Sequence, residues 1–96
     1  MLVLVTYDVN TIDATGRKRL SKVAKKCLAH GVRVQNSVFE CILDNAQFFK
    51  LQNELEKLID PDKDSLRFYN LGNQYHKKVI HIGAKPCINV EAPLIL

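Results

Sequence analysis

No run of this sequence reaches the ~18 consecutive apolar residues that a membrane-spanning helix needs, so no membrane association is expected. Cysteine is scarce. Cys27, Cys41 and Cys87 are odd in number and widely spaced, which fits neither a disulfide framework nor a paired zinc motif. Cys27 and Cys41 fall on apolar positions of the patterns below and read as small buried thiols, consistent with a reducing compartment. Repeats, low-complexity tracts and linkers are missing. So is a glycine-rich phosphate cradle, which leaves a sensor of a small ligand without support. Met1-Leu2-Val3-Leu4-Val5 follows no basic n-region and precedes no cleavage-like site, so it reads as a core strand, and a cytoplasmic location is expected. Acidic residues are absent from one whole segment: residues 17–33 carry Arg17, Lys18, Arg19, Lys22, Lys25, Lys26 and Arg33 without a single Asp or Glu.

What is present is the make-up of one small globular domain spanning residues 1–96, with 47% hydrophobic residues and a mean hydropathy of -0.09. A chain of this length buries only about 60–65% of its unfolded surface, so a partner subunit would add useful burial. The net charge is a mild +4, but its distribution is uneven. Glu40, Asp44, Glu54, Glu56, Asp60, Asp62 and Asp64 collect in residues 40–64, opposite in sign to the basic segment. Basic clusters attract phosphate polymers through Coulomb attraction and counterion release. A solvated helix face is the alternative reading of the same residues.

The periodicities alternate between strand and helix. Residues 2–9 are nearly continuous apolar sequence, as in a central strand, and the polar stretch Asn10 to Gly16 ends it as a loop. From Arg17 the apolar residues Leu20, Val23, Ala24, Cys27 and Leu28 form one helical stripe, which Gly31 ends as a C-terminal cap. Residues 33–43 alternate with a slip near Asn36-Ser37, predicting two short strands or a bent one, with Phe39, Cys41 and Leu43 on one face. Asp44 with Gln47 resembles a capping box for a second helix, whose stripe is Phe48, Leu51, Leu55, Leu58 and Ile59 and whose end is Asp60-Pro61. Ser65 to Leu71 reads as a strand, Gly72-Asn73 as a turn, Lys78 to Gly83 as another strand, and Pro93 to Leu96 as a last short one. This order predicts an α+β fold: a ferredoxin-like βαββαβ sandwich with additional C-terminal strands. Some residues of the open sheet face are apolar, and with the surplus strands they point to a homodimer, with residues 78–96 pairing to the partner protomer.

Four groups of residues could carry chemistry. Tyr7-Asp8 stands at the end of the first strand, where a carboxylate can bind Mg2+ or simply accept amides of the following loop. One carboxylate is a weak metal site, and two copies of Asp8 about a dimer axis would be a better one. Arg17, Lys18, Arg19, Lys22, Lys26 and Arg33 could contact phosphates. Ser37 and Phe39 could touch a sugar or phosphate, or Phe39 could be core. His76 and His81 have structural positions, and His30 suits a helix C-terminus.

Read together, Leu4-Val5-Thr6-Tyr7-Asp8-Val9, Gly16-Arg17-Lys18-Arg19-Leu20, Arg33-Val34-Gln35-Asn36-Ser37-Val38-Phe39-Glu40-Cys41 and Asp64-Ser65-Leu66-Arg67-Phe68-Tyr69 resemble the small CRISPR-associated adaptation proteins called Cas-two. The middle motif is the most specific. The likeness covers essentially the whole chain, including Gly83-Ala84-Lys85-Pro86, and is greatest to the form found with type I-C systems. The resemblance implies a ferredoxin-like homodimer whose C-terminal strands complete the partner's sheet. It implies union with two dimers of the Cas-one integrase, to take up foreign DNA and insert it as spacers in antiviral defence. It further implies metal-dependent endonuclease activity on single-stranded RNA or double-stranded DNA, with Asp8 as the family's catalytic and metal-binding aspartate and Mg2+ or Mn2+ as cofactor. Tyr7, Arg17, Lys18, Arg19, Lys22, Lys26, Arg33, Ser37 and Phe39 are then the expected nucleic-acid contacts, made through phosphates. The alternative is a non-catalytic dimeric scaffold that bridges integrase dimers on DNA.

Overall fold

The computed structural model describes residues 1–83. Its elements run β1 (Leu2–Asp8), α1 (Ala14–Leu28), β2 (Gly31–Gln35), β3 (Val38–Ile42), α2 (Asn45–Leu58) and β4 (Ser65–Asn70), then a single 3-10 turn at Tyr75–Lys77. The sheet order is β2-β3-β1-β4, with every neighbouring pair antiparallel. This is the ferredoxin-like βαββαβ sheet that the alternating periodicities predict. No helix among the described residues is long and apolar enough to cross a membrane.

Side chains alternate across a strand, so each strand serves two environments. Val3, Val5 and Tyr7 of β1 and Phe39 and Cys41 of β3 point to the helix side and are buried. They meet Leu20, Val23, Ala24 and Cys27 of α1 and Leu51 and Leu55 of α2 in one core. Phe48, Leu58 and Ile59 close its margin. Truncating a buried aromatic in such a core, Phe39 for example, costs about 3–5 kcal/mol. The alternate residues Leu4, Thr6 and Asp8 face the uncovered side of the sheet, where burial is partial or absent.

Local chemistry sets the helix ends. Helix α1 starts earlier than its apolar stripe suggests. The carboxylate of Asp13 accepts the Thr15 amide at 3.0 Å as an N-cap, so part of the expected 10–16 loop is helical. The capping box of α2 is present, with Asp44 Oδ1 accepting from Gln47 N at 2.7 Å and Gln47 Oε1 accepting from Asp44 N at 3.0 Å.

Gly31 is not a cap. Helix α1 ends at Leu28 with Ala29 as its C-cap, and Gly31 opens β2. A Cβ on Gly31 would lie 1.8 Å from the Glu40 carbonyl oxygen, so it is the close approach of β2 to β3 that excludes a side chain. The parity slip near Asn36-Ser37 is a hairpin with a two-residue turn plus a bulge between Arg33 and Gln35.

The strand expected at 78–83 is not formed in the single chain. After the 3-10 turn, residues 79–83 are irregular, and Ile80 and Ile82 are 84% and 90% exposed. An alternating strand segment forms only where a neighbouring edge supplies hydrogen bonds, and among the described residues none is aligned with it. The expected strand at Pro93 to Leu96, together with Cys87 and the motif residues Ala84, Lys85 and Pro86, lies outside the described residues.

Candidate active site and nucleic-acid surface

The β1–β4 register sets Asp8 opposite Ser65, Thr6 opposite Arg67 and Leu4 opposite Tyr69, all on the open face. The hairpin turn brings Ser37 to the same place, because its carbonyl accepts the Tyr7 amide at 2.9 Å. Asp8, Ser37, Ser65, Arg67 and Tyr69 thereby line one shallow depression of about 340 Å3. Asp8 is exposed there, and no hydrogen bond or ion pair holds its carboxylate among the described residues. Arg67 is also exposed, with one Nη donating to the Tyr69 hydroxyl at 3.3 Å.

Tyr7 points the other way. It was expected at a nucleic-acid surface, but its parity in β1 sends the ring into the helix-side core, where it is 1% exposed. Its hydroxyl donates to Asp64 Oδ2. The Asp64 side chain has no solvent exposure, and it also accepts from Arg19 Nε at 2.8 Å, Arg19 Nη2 at 3.1 Å and the Asp60 amide at 3.0 Å. Burial alone would raise the Asp64 carboxyl, but Arg19, Tyr7 and the Asp60 amide together outweigh it and hold it below its ordinary value. Burial, with the Asp64 hydrogen bond second, pushes the Tyr7 phenol up to about 12. The guanidinium of Arg19 is held charged more firmly than usual, chiefly by its bonds to Asp64. The network ties β1, α1 and the loop before β4 together one residue from Asp8.

Phe39 is fully buried, so it serves the core and is not presented to a ligand. The Arg33 guanidinium carbon stands 5.4 Å from the centroid of its ring, and Nε donates to the Asn36 carbonyl at 2.7 Å. Arg33 lines a broad groove of about 860 Å3 along α1 with Arg17, Ser21, Lys25 and Asn36, and no acid contributes to its walls. Arg17 bonds the carbonyls of Thr11 and Ile12 at 2.8 and 2.9 Å and pairs with no carboxylate among the described residues. Lys18 and Lys22 are exposed on the same helix. Two of the expected phosphate contacts are engaged within the fold: Arg19 with Asp64, and Lys26 with Glu54 at 2.7 Å. The second is a half-exposed surface pair and holds its lysine only weakly. His81 contacts the Gly83 carbonyl at 3.1 Å and His76 stacks on Tyr75, both away from the depression.

The sequence reading missed Ser65, Arg67 and Tyr69 as site residues. Their signal was there: they are the polar parity of β4, alternating with Leu66 and Phe68, which pack against the core. Lys25 was likewise part of the basic run but not singled out. Asp64 is acidic and near a turn, and nothing local distinguishes it from Asp60 or Asp62.

A four-stranded antiparallel sheet, two helices on one face and a polar depression on the other define a ferredoxin-like α+β protein with its candidate site on the open face. The chain belongs to the CRISPR associated protein Cas2 family, whose model matches residues 1–79. It is 63% identical over 95 residues to the CRISPR-associated endonuclease Cas2 of Halalkalibacterium halodurans, covering 99% of each chain. It is 53% identical over 95 residues to a CRISPR-associated endoribonuclease Cas2 of Rhodospirillum rubrum, covering 99% of this chain and all of the relative. The crystal structure of Streptococcus pyogenes Cas2 at pH 6.5 superposes with a TM-score of 0.79 at 52% identity, covering 86% of this chain and 100% of that one.

Proposed function

We propose that this Cas2 chain is a homodimeric, divalent-cation-dependent phosphodiester endonuclease of CRISPR adaptation, working in the cytoplasm on nucleic acid held through its phosphates. The observation that carries the reading is the exposed Asp8 carboxylate, fixed at the end of a central strand and facing a depression open to water. The names of the relatives, endonuclease and endoribonuclease, point to the same reaction class.

The donors suit Mg2+ or Mn2+. A carboxylate with hydroxyls nearby and room for water and phosphate oxygens is the ligand chemistry such hard cations prefer. One Asp8 supplies a single charge, so the complete site takes Asp8 from each of two copies. When bound, the cation would activate water and offset charge on the phosphate in transit. The chain's own residues do the rest. Strand β1 fixes the carboxylate, the Tyr7–Asp64–Arg19 network holds the strand end, and Ser37 and Ser65 border the place where the phosphate would lie. Residues 78–96 are the segment we assign to the partner's sheet. The exposed Ile80 and Ile82 give it an apolar side to cover. The type I-C-like motifs and the union with two Cas-one integrase dimers belong to the same proposal.

A specific observation favours a second reading. The groove of Arg17, Lys25 and Arg33 lies along α1, away from the open face and without Asp8 in its lining, and would offer its cations to duplex phosphates. In that reading the dimer is a bridge between integrase dimers. Cleavage of RNA and duplex DNA by wild type and Asp8→Ala, at equal dimer content with Mg2+, separates the two. Loss of cleavage in the variant supports the enzyme. Equal cleavage in both removes Asp8 from the reaction. A wild type that binds but never cleaves leaves the bridge.

A further inference from the structure

We propose that Arg67 is the phosphate-holding residue of the Asp8 site, a proposal that rests on the reading of the open face as a phosphodiester site. The register gives the first argument. Asp8 stands opposite Ser65, so Arg67, two residues on, is its diagonal neighbour on the same face. Such neighbours are separated by roughly 7–8 Å, within reach of a long side chain. An aspartate and an arginine so placed could pair directly. They do not: the ion pairs among the described residues are Arg19–Asp64 and Lys26–Glu54. Carboxylate and guanidinium instead border the same depression.

The second argument is what each arginine of the described region already does. Arg19 is spent on a buried carboxylate, and Arg17 and Arg33 line the α1 groove, so Arg67 is the described arginine that lines the Asp8 depression. Arg67 has a single neutral partner, the Tyr69 hydroxyl. Among the described residues that bond leaves its other N–H donors unused. A planar fork with free donors matches two phosphate oxygens, which a lysine does not do.

The third argument is complementarity. A carboxylate and a guanidinium that line one depression without pairing to each other favour a ligand that is cationic at one end and anionic at the other. A phosphodiester bridged by a divalent cation is such a ligand. In hydrolysis the water oxygen bonds to phosphorus, the bond from phosphorus to one ribose or deoxyribose oxygen breaks, and the departing oxygen takes a proton released by the water. Arg67 remains protonated throughout and donates to the non-bridging oxygens. It is thereby a catalytic residue in contact with substrate.

The experiment compares wild type, Arg67→Gln, Arg67→Lys, Tyr69→Phe and, as a charge-loss control on the exposed side of α2, Lys57→Gln. Binding of a short RNA and a short DNA duplex is titrated with salt in the absence of metal, and cleavage is followed with Mg2+. Arg67→Gln should lower kcat about 100-fold and raise KM several-fold, as the loss of a donor that holds phosphate on binding and more tightly in the transition state does. Its metal-free salt slope should fall by about one unit, as for one lost phosphate contact. Arg67→Lys should keep the slope yet lose about tenfold in kcat, as a point charge replaces the fork. Tyr69→Phe keeps Arg67 itself and should show a smaller loss in kcat at an unchanged slope. Slope and kcat both unchanged in Arg67→Gln, or both changed no more than in Lys57→Gln, overturn the proposal. If wild type binds but does not cleave, the hydrolytic reading fails by itself, and the salt slope alone decides whether Arg67 holds phosphate.

Discussion

Replacing Asp64 with asparagine should cost the fold about 3 kcal/mol at pH 7 and make its acid stability flatter. The carboxylate is fully buried and accepts four hydrogen bonds, two of them from Arg19. Asparagine keeps the volume but removes the charge and turns one acceptor into a donor, facing groups that are all donors. Breaking a buried pair from one side costs about 3–5 kcal/mol. The lower end applies here because Arg19 retains 16% side-chain exposure and can recover some hydration.

The pH dependence follows from the direction of the shift. The folded-state pKa of Asp64 lies below its ordinary value of 3.8. The unfolded chain therefore binds more protons near that pH. The contribution is fully present above about pH 5 and is lost as pH falls through the folded pKa. Urea unfolding of wild type and Asp64→Asn at a series of pH values from 7 to 3 measures it. The gap between the two proteins should narrow steadily below about pH 4. A difference under 1 kcal/mol at pH 7, or a gap independent of pH down to 3, refutes the assignment of the network as a buried charged clamp.

Three further outcomes are expected. Tyr7 should ionise near pH 12, seen as a late phenolate step in the ultraviolet absorbance that Tyr7→Phe removes; its stabilising share is present below the ordinary value of 10.0 and lost as pH rises through 12. Gly31→Ala forces a Cβ to within 1.8 Å of the Glu40 carbonyl, so thermal unfolding should show a loss of about 3 kcal/mol or more, well beyond a surface change. Charge reversal of Arg17 and Lys25 together should weaken nucleic-acid binding alike for all sequences and flatten the salt slope by about two units, whereas unchanged binding would reduce the α1 groove to a solvated surface.

The element order was legible because hydrophobic period distinguishes strand from helix, and here the two alternate cleanly. Leu20, Val23, Ala24 and Cys27 announce α1, and Phe39, Cys41 and Leu43 announce the buried face of β3 and the residue after it. Boundaries set by one hydrogen bond were harder: Asp13 caps α1 ahead of the apolar stripe. Gly31 shows the limit of residue-type reasoning, since a glycine after a helix suggests a cap and its neighbour across the sheet is invisible in one dimension. The segment after Gly72 has strand composition but its partner edge is not specified by its own residues.

In the site, Asp8 and the basic run were readable from local context. Tyr7 and Asp8 adjoin in sequence and suggest one site, yet strand parity sends them to opposite faces. The partners of Asp8 come from β4, 57 residues away in the case of Ser65, and only pairing register brings them together. The ion pair of Arg19 with Asp64 likewise spans 45 residues, which removes one expected phosphate contact from the surface.

The central claim is that Asp8 from two copies holds one divalent cation on the open face. Titration of Mn2+ into the purified protein, with free ion followed by electron paramagnetic resonance, tests it most directly. One tightly bound ion for every two chains is expected, absent from Asp8→Asn while that variant still sediments as a dimer. One ion per chain, or binding that persists in Asp8→Asn, would contradict it.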